Sequence, residues 1–389
     1  VPKSSPYLWR IRYNRRRKLI RFLLHSEPEV LVMEIVEYME SGDYEQLVVV
    51  VDKNAGLKAF IAIHDTTLGP ALGGCRIWPH PTEEAALNDV LRLARAMTYK
   101  NAAAGLNLGG GKALIWADPR TDKHEGMMRA FGQFLEGLGG RYITTEDVGS
   151  SPEDLVAISQ STSHVVGLPR TLGGSGDPSK ATGFGIYRGM KVAARQALGS
   201  DSLEGVSIAV QGFGKVAGYL AEHLLAEGAR LTVTDINPDA IARARALGCT
   251  VVENPDAIYD VDCDIFTPCA LGGSINSDTI PRLQCKMVAG SANNQLLTPE
   301  DGETLWKKDV LYVPDYVLNA GGVINLSYEI GRPYQEEEAM ERVARIADSV
   351  EKVMGISKDE NISPARAADW LAEMRIKSVR RAKGIYLAP

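Results

Sequence analysis

Signatures of metal binding, disulfide bonding and membrane insertion are all missing from this chain of 389 residues. Its five cysteines (Cys75, Cys249, Cys263, Cys269, Cys285) form an odd set without a C-x-x-C pair, which reads as reduced thiols in a cytoplasmic setting. The six histidines lie at scattered spacings with no H-E-x-x-H, so no metal site is expected. No apolar run approaches the roughly 18 residues that a membrane span needs. Aromatic residues make up only 7% of the chain, whereas glycine is abundant at 38 residues and clustered, which suggests backbone brought close to a ligand.

The net charge of −6 is unevenly spread. Residues 1–32 carry eight Lys/Arg, centred on Arg15-Arg16-Arg17-Lys18, against Glu27 and Glu29; this net +6 leaves −12 on the remainder. So acidic a body repels a phosphate backbone, and neither nucleic acid nor a membrane is the expected partner. Arg21 interrupts the apolar stretch 19–24, so the start lacks a secretory apolar region. We read residues 1–32 as a basic extension ahead of a natural start at Met33; a transit segment and an anionic-surface tether are the alternatives.

From Met33 onward the length and alternation of elements fit an α/β protein of two domains. Leu47–Val51 and Leu57–Ile63 read as a hairpin, and a helix is expected from Glu83 to about Met97, delivering Tyr99 and Lys100. The run Asn101–Gly111 is too glycine-rich for a continuous helix and leads to Lys112 and an apolar strand, Ala113–Trp116. A short strand at Arg141–Thr145 ends in Glu146-Asp147-Val148-Gly149, and Leu172–Pro178 reads as a hinge. Residues 33–168 are taken as the substrate domain, 169–355 as a Rossmann-type, doubly wound domain, and 356–389 as a helical segment packing back on the first domain.

The second domain carries a G-x-G-x-x-A turn, Gly212-Phe213-Gly214-Lys215-Val216-Ala217, between a predicted strand and a predicted helix. Gly212 allows the tight turn, Gly214 lets backbone approach a pyrophosphate, and Ala217 is small enough for close helix–strand packing. Asp235 ends the next strand, 23 residues past Gly212. There it suits a ribose 2′-hydroxyl and repels a 2′-phosphate, so NAD is the expected cofactor. A helix N-cap is the alternative for Asp235.

Lys100 and Lys112 stand 12 residues apart across the glycine-rich crossing, with Asp147 at a later strand end. Two ammonium groups enclosed together lower each other's proton affinity, and desolvation adds to this; a neutral amine is a general base. The alternative is a pair of solvated surface lysines.

Several segments together resemble the glutamate/leucine/phenylalanine/valine dehydrogenase family. They are Gly69-Pro70-Ala71-Leu72-Gly73-Gly74, Met97 to Gly105, Leu108-Gly109-Gly110-Gly111-Lys112, Glu146 to Gly149, Ala292-Asn293-Asn294-Gln295 and Asn319 to Asn325. The resemblance is closest to the leucine dehydrogenase branch and runs from about Met33 onward. It implies reversible oxidative deamination of a branched-chain L-amino acid by NAD and a homo-oligomer, an octamer. On that likeness Lys100 pairs with the substrate carboxylate, Lys112 is the base that activates water, and Asp147 shuttles protons. Thr182, Asn293, Asn294 and Asn319 match positions near the nicotinamide and its ribose, with turn formation the alternative for Asn293 and Asn294. Leu72 replaces the lysine that glutamate dehydrogenases resemble each other in having there, and an apolar side chain leaves a substrate's second carboxylate unpaired. Leu72, Gly73, Thr145, Val323 and Leu326 are the expected pocket walls. Thr145 and Leu326 depart from the branch's usual Ala and Val, which favours a smaller substrate such as valine; preference for valine or an aromatic amino acid and a non-catalytic NAD-binding regulator are the rival readings. Cys75, where Thr is usual, has no evident role.

Overall fold

A computed structural model describes residues 34–383; the basic extension lies outside the described residues. The first domain runs through α1 (Ile35–Ser41), β1 (Gln46–Asp52), β2 (Leu57–Asp65), β3 (Ala71–Ile77), α2 (Glu83–Ala103), β4 (Gly109–Ile115), α3 (Glu125–Glu136), β5 (Tyr142–Glu146) and α4 (Pro152–Ser159). Its strands form one sheet in the order β1-β2-β4-β3-β5. The β1–β2 hairpin is antiparallel, while β3 runs parallel to both β4 and β5.

The second domain is built from α5 (Ser179–Leu198), β6 (Ser207–Gln211), α6 (Lys215–Ala226), β7 (Arg230–Thr234), α7 (Pro238–Ala246), β8 (Thr250–Val251), β9 (Ile265–Pro268) and β10 (Met287–Val288). It continues through α8 (Pro299–Lys307), β11 (Leu311–Tyr312), α9 (Asp315–Leu318) and α10 (Gly321–Ser327). Its six strands, ordered β11-β10-β9-β6-β7-β8, are parallel throughout. The chain leaves β6 toward β7 on one side and later returns to β9 on the other, so the strand order reverses at β6. Open α/β sheets bind ligands beyond the carboxyl ends of strands at such a reversal. The protein is therefore α/β with a doubly wound second domain. Three helices, α11 (Glu336–Ala344), α12 (Ile346–Glu360) and α13 (Pro364–Lys383), close the fold. From α13, Arg375 Nη1 donates to the carbonyls of Ala102 (3.2 Å) and Leu106 (2.6 Å), tying the end of the chain to the first domain.

Helix α2 begins where Thr82 accepts from the Ala85 N–H at 3.1 Å, with Glu83 and Glu84 favouring the positive end of the helix dipole. It buries Leu87, Val90, Leu91 and Ala94, then continues past Met97 to Ala103, six residues beyond the expected end. Ala102 and Ala103 are good helix formers, and the stop comes at Gly105, whose φ of +71° suits the left-handed turn after a helix. Lys100 thus projects from the last turn of the helix rather than from a loop.

The glycine run also differs from expectation, because Gly109–Gly111 are part of β4, and Lys112 is a strand residue. Ala71–Ile77 is likewise a strand despite Gly73 and Gly74. Glycine weakens β propensity, and the compensating factor is proximity. A Cβ on Gly110 would lie 2.0 Å from the Thr98 backbone nitrogen, so only glycine lets α2 rest directly on β4. Buried Asn101 fastens the same junction by donating to the carbonyls of Gly109 (2.6 Å) and Leu72 (3.3 Å). Gly110→Ala should destabilise the protein by about 2–3 kcal/mol through overpacking, read as a lower urea midpoint at unchanged slope.

Candidate active site

Between the domains lies a cavity of about 410 Å³, lined by Lys100, Lys112, Thr145, Asp147, Asn293, Asn294, Val323 and Leu326 among others. Helix α2 supplies Lys100, β4 supplies Lys112, the end of β5 supplies Thr145 and Asp147, and α10 supplies the apolar wall. Two expected wall residues sit elsewhere. Leu72 is wholly buried, in the same apolar cluster as Ile143, Val323 and Leu326, so it backs the wall without lining it. Gly73 does not line the cavity either: its missing Cβ would fall 1.8 Å from the Gly111 carbonyl oxygen. Gly74 and Arg76, farther along β3, take those places.

Arg76 is a cavity-lining residue that motif reading missed. Lys112 Nζ and Arg76 Nε each lie 2.9 Å from Asp147 Oδ2, and Arg76 Nη1 reaches Asp89 Oδ2 at 2.8 Å. Burial alone would raise the Asp147 pKa, but the Lys112 and Arg76 charges outweigh it and hold the carboxyl below its ordinary value. An isolated arginine carries no spacing signal; only the sheet order, placing β3 beside β5, brings it to Asp147.

Lys100 has a different environment. Its Nζ donates to Asn319 Oδ1 at 2.7 Å, and Asn319 in turn donates to Asn293 Oδ1 at 2.9 Å and to the Ser291 carbonyl at 3.0 Å. With a neutral amide as its hydrogen-bond partner, Lys100 is pushed down to about 8, first by burial; Asp315 opposes the shift and Lys112 adds to it. The strongly shifted lysine in the cleft is thus Lys100. Asp315, also missed, lines the same cavity, accepts the N–H groups of Gln295 and Tyr316, and has its carboxyl pKa raised by burial.

At the end of β6, Gly212 has φ +90°, a value that glycine adopts freely. The Phe213 side chain is fully buried in the core, so only its backbone belongs to the turn, and Val216 packs against the same core while Ala217 is buried. A Cβ on Gly214 would meet nothing within 4 Å. Helix α6 starts there without a side-chain cap and without an acid in its first turn. An open cradle facing uncapped N–H groups fits a dinucleotide pyrophosphate. Lys215 spans to Asp177 of the linker at 3.0 Å. Asp235 accepts from the N–H groups of Phe213 (2.5 Å) and Asn237 (2.7 Å), while Asn237 itself caps α7, so the capping alternative for Asp235 falls to its neighbour. Thr182 is not a lining residue: its hydroxyl donates back to the Pro178 carbonyl at 2.9 Å. Asn294 has φ +52°, so it makes a turn and also faces the cleft.

A parallel sheet with a phosphate-cradling turn at its strand-order reversal, joined by a charged cleft to a second domain, defines the class of dinucleotide-dependent dehydrogenases. Residues 45–164 match the family model "Glu/Leu/Phe/Val dehydrogenase, dimerisation domain", and residues 173–238 and 239–384 match "Glutamate/Leucine/Phenylalanine/Valine dehydrogenase". The chain belongs to the glutamate/leucine/phenylalanine/valine dehydrogenase family and is an NAD-dependent amino-acid dehydrogenase. A leucine dehydrogenase of Geobacillus stearothermophilus is 56% identical to it, over 91% of this chain and 96% of that one. The solved L-tryptophan dehydrogenase of Nostoc punctiforme superposes with TM-score 0.79 at 44% identity, covering 89% of this chain and 100% of its own. The hetero-hexameric glutamate dehydrogenase of Thermus thermophilus superposes with TM-score 0.74 at 27% identity, covering 88% and 91%.

The depressed Lys100 pKa has a consequence for stability. Because the folded value lies below the unfolded one, the unfolded chain binds more protons between about pH 8 and the ordinary lysine pKa, so stability contributed by this group rises across that window. Relative to Lys100→Met, the native protein should gain up to about 2 kcal/mol from pH 8 to 10.5, measured by urea unfolding of both proteins at each pH.

Proposed function

We propose that the protein catalyses the reversible oxidative deamination of a branched-chain L-amino acid, leucine foremost with valine and isoleucine accepted. With one water and NAD, the products are the 2-oxo acid, ammonium, NADH and a proton. The observation that carries this reading is the shared cavity: Lys100, Lys112 and Asp147 line it together with the apolar side chains of Val323 and Leu326.

Lys100 takes the substrate α-carboxylate. Its present partner is a neutral amide, so a carboxylate would displace or join Asn319 and gain a charge-assisted hydrogen bond. That interaction pins the Cα within the cleft and leaves the side chain toward α10. Bound at Gly212, Gly214 and Asp235, with Asn293, Asn294 and Asn319 toward the nicotinamide end, NAD would supply the hydride acceptor. The substrate amine loses a proton to Asp147, and Lys112 then takes a proton from the water that attacks the substrate imine carbon. The 2.9 Å contact between Lys112 and Asp147 gives that proton a direct path between the two side chains. Arg76 keeps the Asp147 carboxylate ionised and ready to accept.

Substrate class follows from the apolar lining. Val323 and Leu326 offer an aliphatic side chain an apolar wall, and the apolar Leu72 lies in the same buried cluster. Thr145 and Leu326 both line the cavity, and this favours valine as a second reading. A homo-oligomer is supported by β1, an edge strand with Val49 and Val51 exposed; a cytoplasmic location is supported by five free cysteines and by the lack, among the described residues, of a helix long and apolar enough to cross a membrane.

Lys112→Ala should lower turnover by about 10³-fold while NADH affinity, read by fluorescence titration, stays within about twofold. Unchanged turnover would remove Lys112 from the chemistry and leave a nucleotide-binding protein. In steady-state comparison, kcat/KM for leucine and valine should exceed that for phenylalanine and glutamate by at least about tenfold. A higher value for phenylalanine would overturn the branched-chain assignment.

A further inference from the structure

One turn beyond Tyr99 and Lys100 along α2, a second pocket of about 250 Å³ lies where the end of α2 meets α11, α12 and α13. Four cations line it, Arg342, Arg345, Lys352 and Arg375, against one carboxylate, Asp348. Arg342 donates to the carbonyls of Ala104 and Gly105, both at 2.9 Å. Arg375 donates to those of Ala102 and Leu106 and to Asn107 Oδ1 at 2.9 Å. These neutral oxygens explain why two guanidinium groups gather at the C-terminus of α2, where cations are favoured. They do not explain Arg345 and Lys352, which are exposed, nor why among the described residues none of the four has a carboxylate partner in a salt bridge. Burial, and then the neighbouring Arg342 charge, holds the Arg375 guanidinium below its ordinary value, so the cluster pays for its own repulsion. The pocket also receives the first turn of α12, which carries Asp348, its one carboxylate. Two guanidinium groups fixed by backbone carbonyls, with Arg345 and Lys352 beside them, outweigh that carboxylate and suit an anion of high charge.

We infer that this pocket is a second anion site, separate from the dinucleotide turn, which takes a polyphosphate chain, free or carried by a nucleoside. The ligand would touch both domains, since Ala102 and Ala103 belong to the helix that carries Lys100, whereas Arg342, Arg345 and Lys352 follow the dinucleotide-binding sheet. Binding there neutralises the repulsion and braces the junction, so it raises thermal stability.

The test is calorimetric titration of the full chain, saturated with NADH, with tripolyphosphate in one arm and ATP in the other at constant ionic strength. Saturable binding is expected, with affinity at least tenfold weaker in Arg345→Glu/Lys352→Glu, a pair of exposed changes that leaves basal turnover unchanged. The basic segment 1–32 is common to both proteins, so the difference reports on the pocket. Tighter binding of ATP than of tripolyphosphate assigns a nucleoside polyphosphate as the source, and equal binding assigns the phosphate chain alone; either supports the site. Equal affinity in wild type and variant, absence of saturable binding, or loss of binding on adding NADH would overturn it. A rise in Tm with tripolyphosphate in the wild type, missing from the variant, provides the second readout.

Discussion

Lys100 and Lys112 come from different kinds of element, a helix and a strand, and they share a cavity because α2 lies on the backbone of β4 with no side chain between them. Gly110 is where the contact is tightest, against the backbone nitrogen and hydroxyl of Thr98. An ordinary helix-on-sheet packing keeps the layers about 10 Å apart with interleaved side chains. The missing side chain of Gly110 lets the helix sink, and Asn101 then directs its amide to strand carbonyls. The separation of the two amines, and hence the size of the group that fits between them, follows from that approach.

Charge in the cleft is arranged so that one carboxylate serves two cations. Asp147 is held by Lys112 and Arg76, and Arg76 is shared with Asp89 on α2, so the ion chain crosses from β5 through β3 to the helix. Lys100 stands outside this chain, on a neutral amide. The asymmetry suits two tasks: a proton-handling end in which charges already compensate, and an anchoring end with a charge still to be matched. Buried charges left unmatched are costly, which is consistent with the Lys100 shift and with the gain available when a carboxylate arrives.

Much of this was legible from residues alone. The strand–turn–helix around Gly212 and Asp235 could be read because the turn, the small packing residue and the acid fall at spacings imposed by a βαβ unit. Lys100, Lys112 and Asp147 could be read because they sit beside glycine clusters. The local geometry of the first domain was harder. Gly73, Gly74 and Gly109–Gly111 signal loops by propensity, yet they are strand residues whose missing side chains answer to close neighbours, the helix at Gly110 and adjacent backbone at Gly73, a tertiary demand invisible in one dimension. For the same reason the helix end was placed too early. Arg76 and Asp315 bear no motif, and only the order of strands and the fold of the second domain reveal them. Leu72 was read as a wall because of its place in a motif, whereas the fold buries it wholly in the core.

The glycine strand has an implication for altering what the protein accepts. Any library that diversifies the glycines of β3 or β4 would first have to open these close approaches, at Gly110 by lifting α2 from the sheet, and most members would be lost to misfolding before selectivity could be scored. Positions 145, 323 and 326 present side chains to the cavity without supporting that junction. Redesign toward bulkier or smaller amino acids therefore has an accessible face on α10 and at the end of β5, and a closed one on the floor.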